Sequence, residues 1–480
     1  MSRRLWLILI VLMSAEIVAG FESSMILAGL PAWLRIYGDP VSIGWIVSSY
    51  LLVSAAAAAL CGRLGDLFGR KKVLMVVIGA ACVGSIISGA TGKLEWVITG
   101  RLIQGLAGSI IPLCYGLARE HLPRERVGFA IGLMISTMSA ASGLGFLLGG
   151  VLTDLYGPQS IFAGSAIMAA IVLVGIAVGL PRSKPLPQTG PTDWLGGILF
   201  VPAIAALLLV ISNGARWGWT SPAVLGLGLG GVATLAIWVW HERRLDDPMI
   251  DIRLLANRNS AMASLAMAFA AMGVIQITQL TSLLLQQPKW TLVGLGTSAT
   301  LVGLMKGPSL LAGVTASVWA GLVSDKNGGR LPMLCGSAVA LLACVLGALN
   351  HTSVMVILIV VVISQLGIAA AYTGIPKVIV DASPPSRTSE ATGLMTVVRA
   401  TSQAIGAQVL AVLLASARIF DASGKSFPDD RAYTLVWWFM AAAAACGVLA
   451  SWLVAQPPRA GKAAGPVPNT VGGARDQAAE

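Results

Sequence analysis

Two ionisable side chains lie inside long apolar stretches of this 480-residue sequence. Glu22 falls in the first stretch and Arg101 in the fourth, within ITGRLIQGLAG. Ionisable residues inside a membrane span usually mark an ion or substrate pathway. Burial favours the neutral form of a carboxyl, whereas a nearby guanidinium favours the ionised form. A carboxyl on which these two effects nearly cancel can exchange a proton near neutral pH. Both residues fall in the outer halves of predicted helices, so contact is feasible. The alternatives are a static ion pair or, for Arg101, snorkelling to the interface.

Four more polar residues in apolar stretches could line a cavity. Glu16 precedes Glu22 by six residues, which turns it about 120° away on a helix; it is either a second acid in the cavity or a structural group. Lys306 and Arg399 lie deep in predicted spans without an acid partner in their own helix, which makes them candidates for function. For Lys306, structural pairing is an equal alternative. Tyr50 could line the same cavity, with ordinary helix packing as the alternative.

The composition indicates a membrane protein with many spans. Apolar residues make up 56% of the chain and charged residues 11%, and the mean hydropathy is +0.82, whereas soluble domains carry roughly 25% charged residues. The formal net charge of +11 would suit nucleic acid. However, most Lys and Arg residues fall in loops on one predicted side, as the positive-inside rule produces. We therefore expect the lipid bilayer as a partner and no nucleic acid.

The apolar stretches predict fourteen transmembrane helices. Each is near the ~20 residues that cross a bilayer, and continuous apolar runs exclude a barrel of alternating strands. The even number puts both termini on one side, and the basic loops make that side the cytoplasmic face of the cell membrane. The predicted spans are 5–29, 41–61, 73–91, 96–119, 127–152, 161–180, 192–212, 222–240, 261–285, 297–323, 331–349, 352–376, 391–416 and 433–455.

Residues 62–72, GRLGDLFGRKK, form a predicted tight loop between the second and third spans. Its glycines allow a turn and close helix approach, and its bases could merely set the topology. The order of residues resembles the loop signature of the major facilitator superfamily, G-x-L-x-D-x-x-G-R-K/R. In that family the Asp and Arg pair across a cytoplasmic gate in the outward-open form, and the resemblance carries that role to Asp66 and Arg70. The matching residues are Gly62, Leu64, Asp66, Gly69, Arg70 and Lys71.

A weaker copy of this run, GLVSDKNGGR at 321–330, lies between the tenth and eleventh spans. The offset of eight helices fits two six-helix halves with two helices inserted between them, and duplicated halves are a common transporter plan. We therefore predict an N-terminal six-helix bundle at 1–183, a linker and two inserted helices at 184–258, a C-terminal six-helix bundle at 259–455, and a disordered cytoplasmic tail at 456–480.

Two helix signatures resemble those of the fourteen-span drug:proton antiporters of that superfamily. Glu22 takes the place of their first-helix acid, nine residues before Pro31. Arg101, Gln104 and Gly105 match the fourth-helix signature R-x-x-Q-G, whose arginine is associated in relatives with proton coupling. The resemblance therefore implies that Glu22 and Arg101 couple transport to protons.

The fifth helix departs from the antiporter pattern. The signature G-x-x-x-G-P-x-x-G-G is matched by Gly145, Gly149 and Gly150, but Phe146 stands at the proline place. The glycines suit close helix packing. Relatives link the proline feature to exchange rather than symport, so its loss weakens the antiport assignment and leaves the fold unaffected.

The sequence contains no Walker loop, HExxH, GxSxG or dinucleotide pattern and no metal-binding Cys/His spacing. We expect no enzyme activity, catalytic residue, cofactor or metal site. The resemblance implies an all-α, monomeric secondary transporter with the major-facilitator fold, which exports a small organic compound or drug in exchange for protons by alternating access. The alternatives are a proton-coupled importer of an organic anion, favoured by Phe146, Lys306 and Arg399, and a non-transporting membrane sensor.

Overall fold

The computed structural model describes residues 3–37, 40–183, 185, 193–245, 248, 250–291, 293–294, 296, 307–420 and 426–455. Lys306, most of the predicted linker at 184–192 and the tail at 456–480 lie outside these residues. The predictions made for them stay predictions.

Fourteen helical segments of the described chain are long and apolar enough to cross a membrane, which confirms the predicted number. The fourth and ninth segments each consist of two α-helices joined by a 3-10 turn, at Gly105–Ser109 and Val274–Gln276. The helices are α1 (Arg3–Tyr37), α2 (Pro40–Phe68), α3 (Arg70–Ala90), α4 (Leu94–Gln104), α5 (Ile110–His121), α6 (Val127–Tyr156), α7 (Ser160–Gly179), α8 (Trp194–Trp217), α9 (Pro222–Glu242), α10 (Arg258–Met272), α11 (Ile277–Gln286), α12 (Gly307–Asn327), α13 (Arg330–Leu349), α14 (Val354–Ala382), α15 (Thr388–Ser416) and α16 (Asp430–Leu453).

The basic run at 62–72 is helical apart from one residue, so the expectation of a loop there was wrong. Helix α2 continues to Phe68 and α3 begins at Arg70. Continuing the helix satisfies the backbone N–H and C=O groups where water is scarce. The turn is made by Gly69, whose φ of 98° lies in the left-handed region that glycine adopts easily. Helix α1 likewise passes its predicted end and runs through Pro31 to Tyr37.

A short β-hairpin that the sequence did not predict follows α15. Strands β1 (Arg418–Phe420) and β2 (Ser426–Pro428) pair antiparallel, with Ile419 opposite Phe427. The Phe427 ring packs edge-on against Trp290, 5.5 Å between centroids. The hairpin is thereby fixed beside the 3-10 turn Lys289–Thr291 that follows α11.

The N-terminal helices (α1–α7) and the C-terminal helices (α10–α16) meet at two glycine-dependent crossings, α2 with α15 and α6 with α12. A Cβ on Gly62 would lie 2.5 Å from the Ser389 carbonyl oxygen, and one on Gly321 would lie 2.7 Å from that of Gly128. Both crossings therefore bring backbone against backbone, as small residues at membrane helix interfaces allow.

The two helices between these sets, α8 and α9, pack against each other, and α8 also packs against α2 and α15. Asp193 begins α8 by accepting a hydrogen bond from the Gly196 N–H at 3.0 Å, as N-cap residues do. The same carboxylate lies 2.9 Å from His241 Nε2 at the end of α9. The rings of Phe200 and Trp238, 5.0 Å apart, join the two helices further along.

Candidate functional site

Glu22 and Arg101 meet in the interior of the N-terminal helices. Their exposed fractions are 3% and 2%. Arg101 Nη1 lies 3.4 Å from Glu22 Oε2 and donates to the Glu22 carbonyl oxygen at 3.1 Å. The separation is longer than the about 2.7–2.9 Å of a strong charge-assisted hydrogen bond. The structure thus brings together the two residues that the sequence paired, in a loose ion pair.

Two serine hydroxyls and one amide complete what we call the Glu22 site (Glu22, Arg101, Gln104, Ser85 and Ser165). Glu22 Oε1 lies 2.7 Å from Ser165 Oγ and 3.2 Å from Ser85 Oγ. Gln104 Nε2 donates to Ser85 Oγ at 2.6 Å, and Gln104 Oε1 accepts from Arg101 Nη1 at 3.1 Å. Because a hydroxyl can donate or accept, the serines can bind either the carboxylate or the carboxylic acid.

Helix α2 covers the far side of Arg101. The guanidinium lies 4.3 Å from the centroid of the Tyr50 ring, in cation–π geometry. Gly105 makes this approach feasible, because a Cβ there would lie 2.9 Å from the Tyr50 carbonyl oxygen and 2.5 Å from Val53 Cβ. Tyr50, which we considered for a cavity wall, is therefore buried over Arg101.

The fifth-helix glycines press α6 against the part of α1 that carries Glu22. A Cβ on Gly145 would lie 2.6 Å from Phe21 Cδ1, and one on Gly149 would lie 2.5 Å from the Met25 carbonyl oxygen. A Cβ on Gly150 would meet nothing within 4 Å, so packing explains only two of the three glycines. Helix α6 continues through Phe146, whose side chain lies outside the described part of the chain.

Where α2 turns into α3, Asp66 and Arg70 join the N-terminal helices to the start of α15. Arg70 Nε donates to Asp66 Oδ1 at 2.7 Å, and Asp66 Oδ2 accepts from the Glu390 backbone N–H at 3.0 Å. Arg70 also donates to the carbonyl oxygens of Pro385 at 2.8 Å and Gly116 at 3.1 Å. A carboxylate at a helix N-terminus is favourable. We call these contacts the Asp66 junction.

A chain of charged groups ties the segment after α9 to the same junction. Glu390 Oε2 lies 3.4 Å from Arg63 Nη1, and Glu390 Oε1 accepts from the Asp251 backbone N–H at 2.6 Å. Arg387 Nη1 lies 2.8 Å from Asp251 Oδ2. From α5, Arg119 Nη1 donates to the Ser383 carbonyl oxygen at 2.8 Å. The connection between the inserted helices and the C-terminal helices is therefore part of this assembly.

The weaker copy of the basic run, residues 321–330, makes a contact of the same kind at the crossing of α6 with α12. Asp325, near the end of α12, accepts from the backbone N–H groups of Gly128 at 2.7 Å and Phe129 at 2.9 Å, at the start of α6. We call this the Asp325 junction. Arg330 donates to the Trp452 carbonyl oxygen at 2.6 Å, within the C-terminal helices. The internal repeat of the sequence thus corresponds to two related contacts between the two sets of helices.

Glu16 on α1 and Arg399 on α15 lie within electrostatic reach of each other. Glu16 is 1% exposed, and neither carboxylate oxygen meets an N–H or O–H donor among the described residues. The Cys114 and Tyr115 side chains lie beside it, and Arg399 is within electrostatic reach. Arg399 lines a cavity of about 350 Å³ between α2, α8 and α15. Lys306 lies outside the described residues.

The family model described as Major Facilitator Superfamily matches residues 12–407 and, in a second overlapping match, residues 261–473. The chain belongs to the Major Facilitator Superfamily. It is a multi-pass membrane transporter and not an enzyme, since that family and the solved structures that resemble this chain are transporters.

Named relatives and solved structures agree with this assignment. The multidrug resistance protein Stp of Mycobacterium tuberculosis is 28% identical over 78% of this chain and 68% of its own length. The tetracenomycin C resistance and export protein of Streptomyces glaucescens is 24% identical over 89% of this chain and 78% of its own length. The crystal structure of the human organic anion transporter MFSD10 has a TM-score of 0.65 at 15% identity and covers 95% of this chain and 100% of its own. The proton:xylose symporter XylE has a TM-score of 0.66 at 14% identity and covers 94% and 96%. At such identities the two structures show the shared fold alone.

Sequence reasoning missed several residues at both sites of this transporter. Ser85 and Ser165 carry no local signal, because serines are frequent in apolar helices and their partners come from another helix. Glu390 could have been found, since it is an acid one residue before a predicted span and opposite a basic run. Nothing in the sequence distinguishes Arg119 and Arg387 from ordinary interfacial bases, and only the fold shows that they reach across the junction.

Proposed function

We propose that this transporter exports a small organic compound or drug across the cell membrane in exchange for protons. In this proposal both termini and the Asp66 junction are cytoplasmic, as the positive-inside rule favours. The names of the relatives, which refer to multidrug resistance and to tetracenomycin C export, support export.

The observation that carries the proposal is the environment of Glu22. Burial favours the neutral form of this carboxyl, and the Arg101 guanidinium 3.4 Å away favours the ionised form. The hydroxyls of Ser85 and Ser165 can donate to the carboxylate or accept from the acid, so neither state leaves a polar group without a partner. Such a group can bind and release a proton without rebuilding its surroundings.

The Asp66 junction supports the assignment of a conformational state. The described contacts hold the N-terminal and C-terminal helices together at that end, which in this proposal, with that end cytoplasmic, makes the form described here the outward-facing one. In the proposed cycle Glu22 takes up a proton from outside, the bundles at 1–183 and 259–455 rock, and the junction opens. Substrate binding from the cytoplasm then returns the protein to the outward-facing form after the proton has left.

The proposal is tested in proteoliposomes with an imposed pH gradient. Flux of a panel of drugs, dyes and aromatic acids is followed in both directions. Movement of a compound against the direction of proton flow is expected. The Glu22→Gln variant should lose gradient-driven flux while it keeps normal expression and melting temperature. Unchanged flux in that variant would rule out Glu22 as the proton carrier.

A second candidate, a proton-coupled importer of an organic anion, is favoured by Arg399 at the cavity and by Phe146 at the proline place. The same vesicles distinguish the two. Movement of an aromatic acid in the same direction as protons would favour import, and counter-movement would favour export.

A further inference from the structure

The cavity beside Arg399 lies outside the Glu22 site, in the space between α2, α8 and α15. Its volume of about 350 Å³ lies within the range of small-molecule pockets. Helix α8 contributes Leu208, Leu209 and Asn213, so one of the two inserted helices forms a wall. Helices α2 and α15 form the other walls, and α15 contributes Arg399.

The lining combines apolar walls with one charged group. Leucines and alanines from all three helices, together with uncharged serine, threonine and amide side chains, surround Arg399, which is the one charged residue among the described lining residues. Thr396, Arg399, Gln403 and Ala407 recur every three or four residues and so share one face of α15. Polar groups that converge within an apolar cavity are typical of a site for an organic ligand.

Arg399 is placed to bind an anion. In the described part of the chain no carboxylate lies within 4.0 Å of its nitrogens and no acceptor hydrogen-bonds to it, although Glu16, Tyr50, Tyr115 and Tyr372 lie within electrostatic reach. A guanidinium in a membrane span is expensive unless it is paired or solvated. Its planar donors match a carboxylate or sulfonate in a bidentate arrangement.

We infer that this cavity binds a small amphiphilic organic anion, with its acidic group on Arg399 and its apolar body against Leu51, Leu52, Leu208 and Leu209. This inference rests on the proposed function in that the anion is the transported compound. The volume of about 350 Å³ suits one drug-sized molecule and is small for the two acyl chains of a phospholipid. Arg399, the one charged residue among the described lining residues, favours an anion over a lipophilic cation of the same size.

Two dyes that share one fluorophore test the charge preference. Dansylglycine is an amphiphilic anion and dansylcadaverine an amphiphilic cation. Binding of each to the purified chain in phosphatidylcholine nanodiscs is measured by fluorescence, with empty nanodiscs subtracted. Dansylglycine is expected to bind at least about tenfold more tightly. Arg399→Gln should weaken dansylglycine binding about tenfold to a hundredfold, the size of a lost charge-assisted contact. Arg399→Lys should weaken it less.

A pair of tryptophan variants on one helix tests the location. Leu209→Trp fills the cavity and should weaken dansylglycine binding, whereas Ile198→Trp, at a position 66% exposed on the same helix, should not. Equal binding of both dyes, or equal effects of the two tryptophans, would overturn the inference. Displacement of dansylglycine by phosphatidylglycerol in the nanodiscs would assign the cavity to a lipid and would also overturn it.

The dye-binding experiments and the vesicle transport experiment can fail independently of each other. A chain that binds dansylglycine through Arg399 but moves no compound under a pH gradient would contradict the proposed transport. A chain that transports but binds both dyes equally would contradict only the inference about the cavity.

Discussion

The two junctions are built on the same plan but differ in what holds them. In each, an aspartate at the end of one helix accepts hydrogen bonds from the first backbone N–H groups of a helix in the other set. At Asp66 an arginine also bridges the two sets, and the segment after α9 is fastened alongside. At Asp325 the described contacts across the interface are the helix cap, the glycine crossing and hydrogen bonds between uncharged groups, among them the one between the Ser136 and Ser317 hydroxyls. We infer that the Asp66 junction is a latch held by charge and the Asp325 junction a simpler contact.

The largest difference between the junctions is expected when each aspartate loses its charge. Asp66→Asn removes one of the two carboxylates beside Arg70 and leaves Glu120, 3.4 Å from Arg70 Nη1, as the other. Loss of one partner of a buried ion pair typically costs about 3–5 kcal/mol. We expect transport turnover to fall about tenfold or more, with a smaller change in substrate affinity, because the latched state becomes less populated. Asp325→Asn, which removes no ion pair within the described junction, should lower turnover only a few-fold. Initial transport rates and equilibrium binding in proteoliposomes measure both.

Asp66→Asn and Asp325→Asn together test whether the arginine bridge distinguishes the two junctions. Equal losses of turnover in the two variants would show that the arginine bridge does not distinguish the junctions. An unaltered rate in Asp66→Asn would contradict the latch itself.

A smaller effect is expected from a methyl group at the α2–α15 crossing. Gly62→Ala puts a Cβ 2.5 Å from the Ser389 carbonyl oxygen, so the helices must move apart; such overpacking costs about 1–3 kcal/mol. We expect a reduced population of the latched state, seen as faster cysteine labelling of Ser389→Cys, at a position that is fully buried in this form. Gly79→Ala on α3 is the control, since its Cβ would meet nothing within 4 Å. Labelling as slow in Gly62→Ala as in the control would show that the crossing tolerates a side chain.

The smallest effect should come from the segment after α9. Asp251→Ala removes an ion pair with Arg387 that has no counterpart in the described Asp325 junction, and the hydrogen bond that Asp251 accepts from the Arg253 N–H. Both side chains of the pair keep some exposure, 19% and 14%, so its contribution is expected near the upper end, about 1 kcal/mol, of what accessible pairs contribute. We expect a small drop in melting temperature and a less than threefold loss of turnover. A loss as large as that of Asp66→Asn would mean that this segment, rather than Arg70, holds the latch.

The sequence predicted what depends on composition and on local order. Long apolar runs predict spans because lipid requires every backbone group to be satisfied within a helix, and the fourteen spans followed. Glu22, Arg101 and the Asp66 run were recognised because they resemble signatures of the superfamily. The end of α2 was placed wrongly, because polar and basic residues can extend a helix into the interface when a single glycine can make the turn.

Contacts between helices that are far apart in the sequence were harder to predict. Four residues matter through partners that lie 63 to 324 positions away in the sequence, which one sequence does not indicate. They are Ser85, Ser165, Glu390 and Arg387. The cavity at Arg399 depends on how α8 packs against α2 and α15. Helices that are apolar on every side show no hydrophobic periodicity, so the sequence does not indicate which side of each helix contacts its neighbour.

The most direct test links the proton site to the latch. Spin labels on Lys72 and Ser386, both exposed and on opposite sides of the Asp66 junction, report its opening after the native cysteines are replaced. Protonation of Glu22 removes the charge that balances Arg101 and should favour the alternate state. The account predicts a growing long-distance population as the pH falls, and the same population in Glu22→Gln already at neutral pH. Identical distance distributions in both proteins at every pH would contradict it.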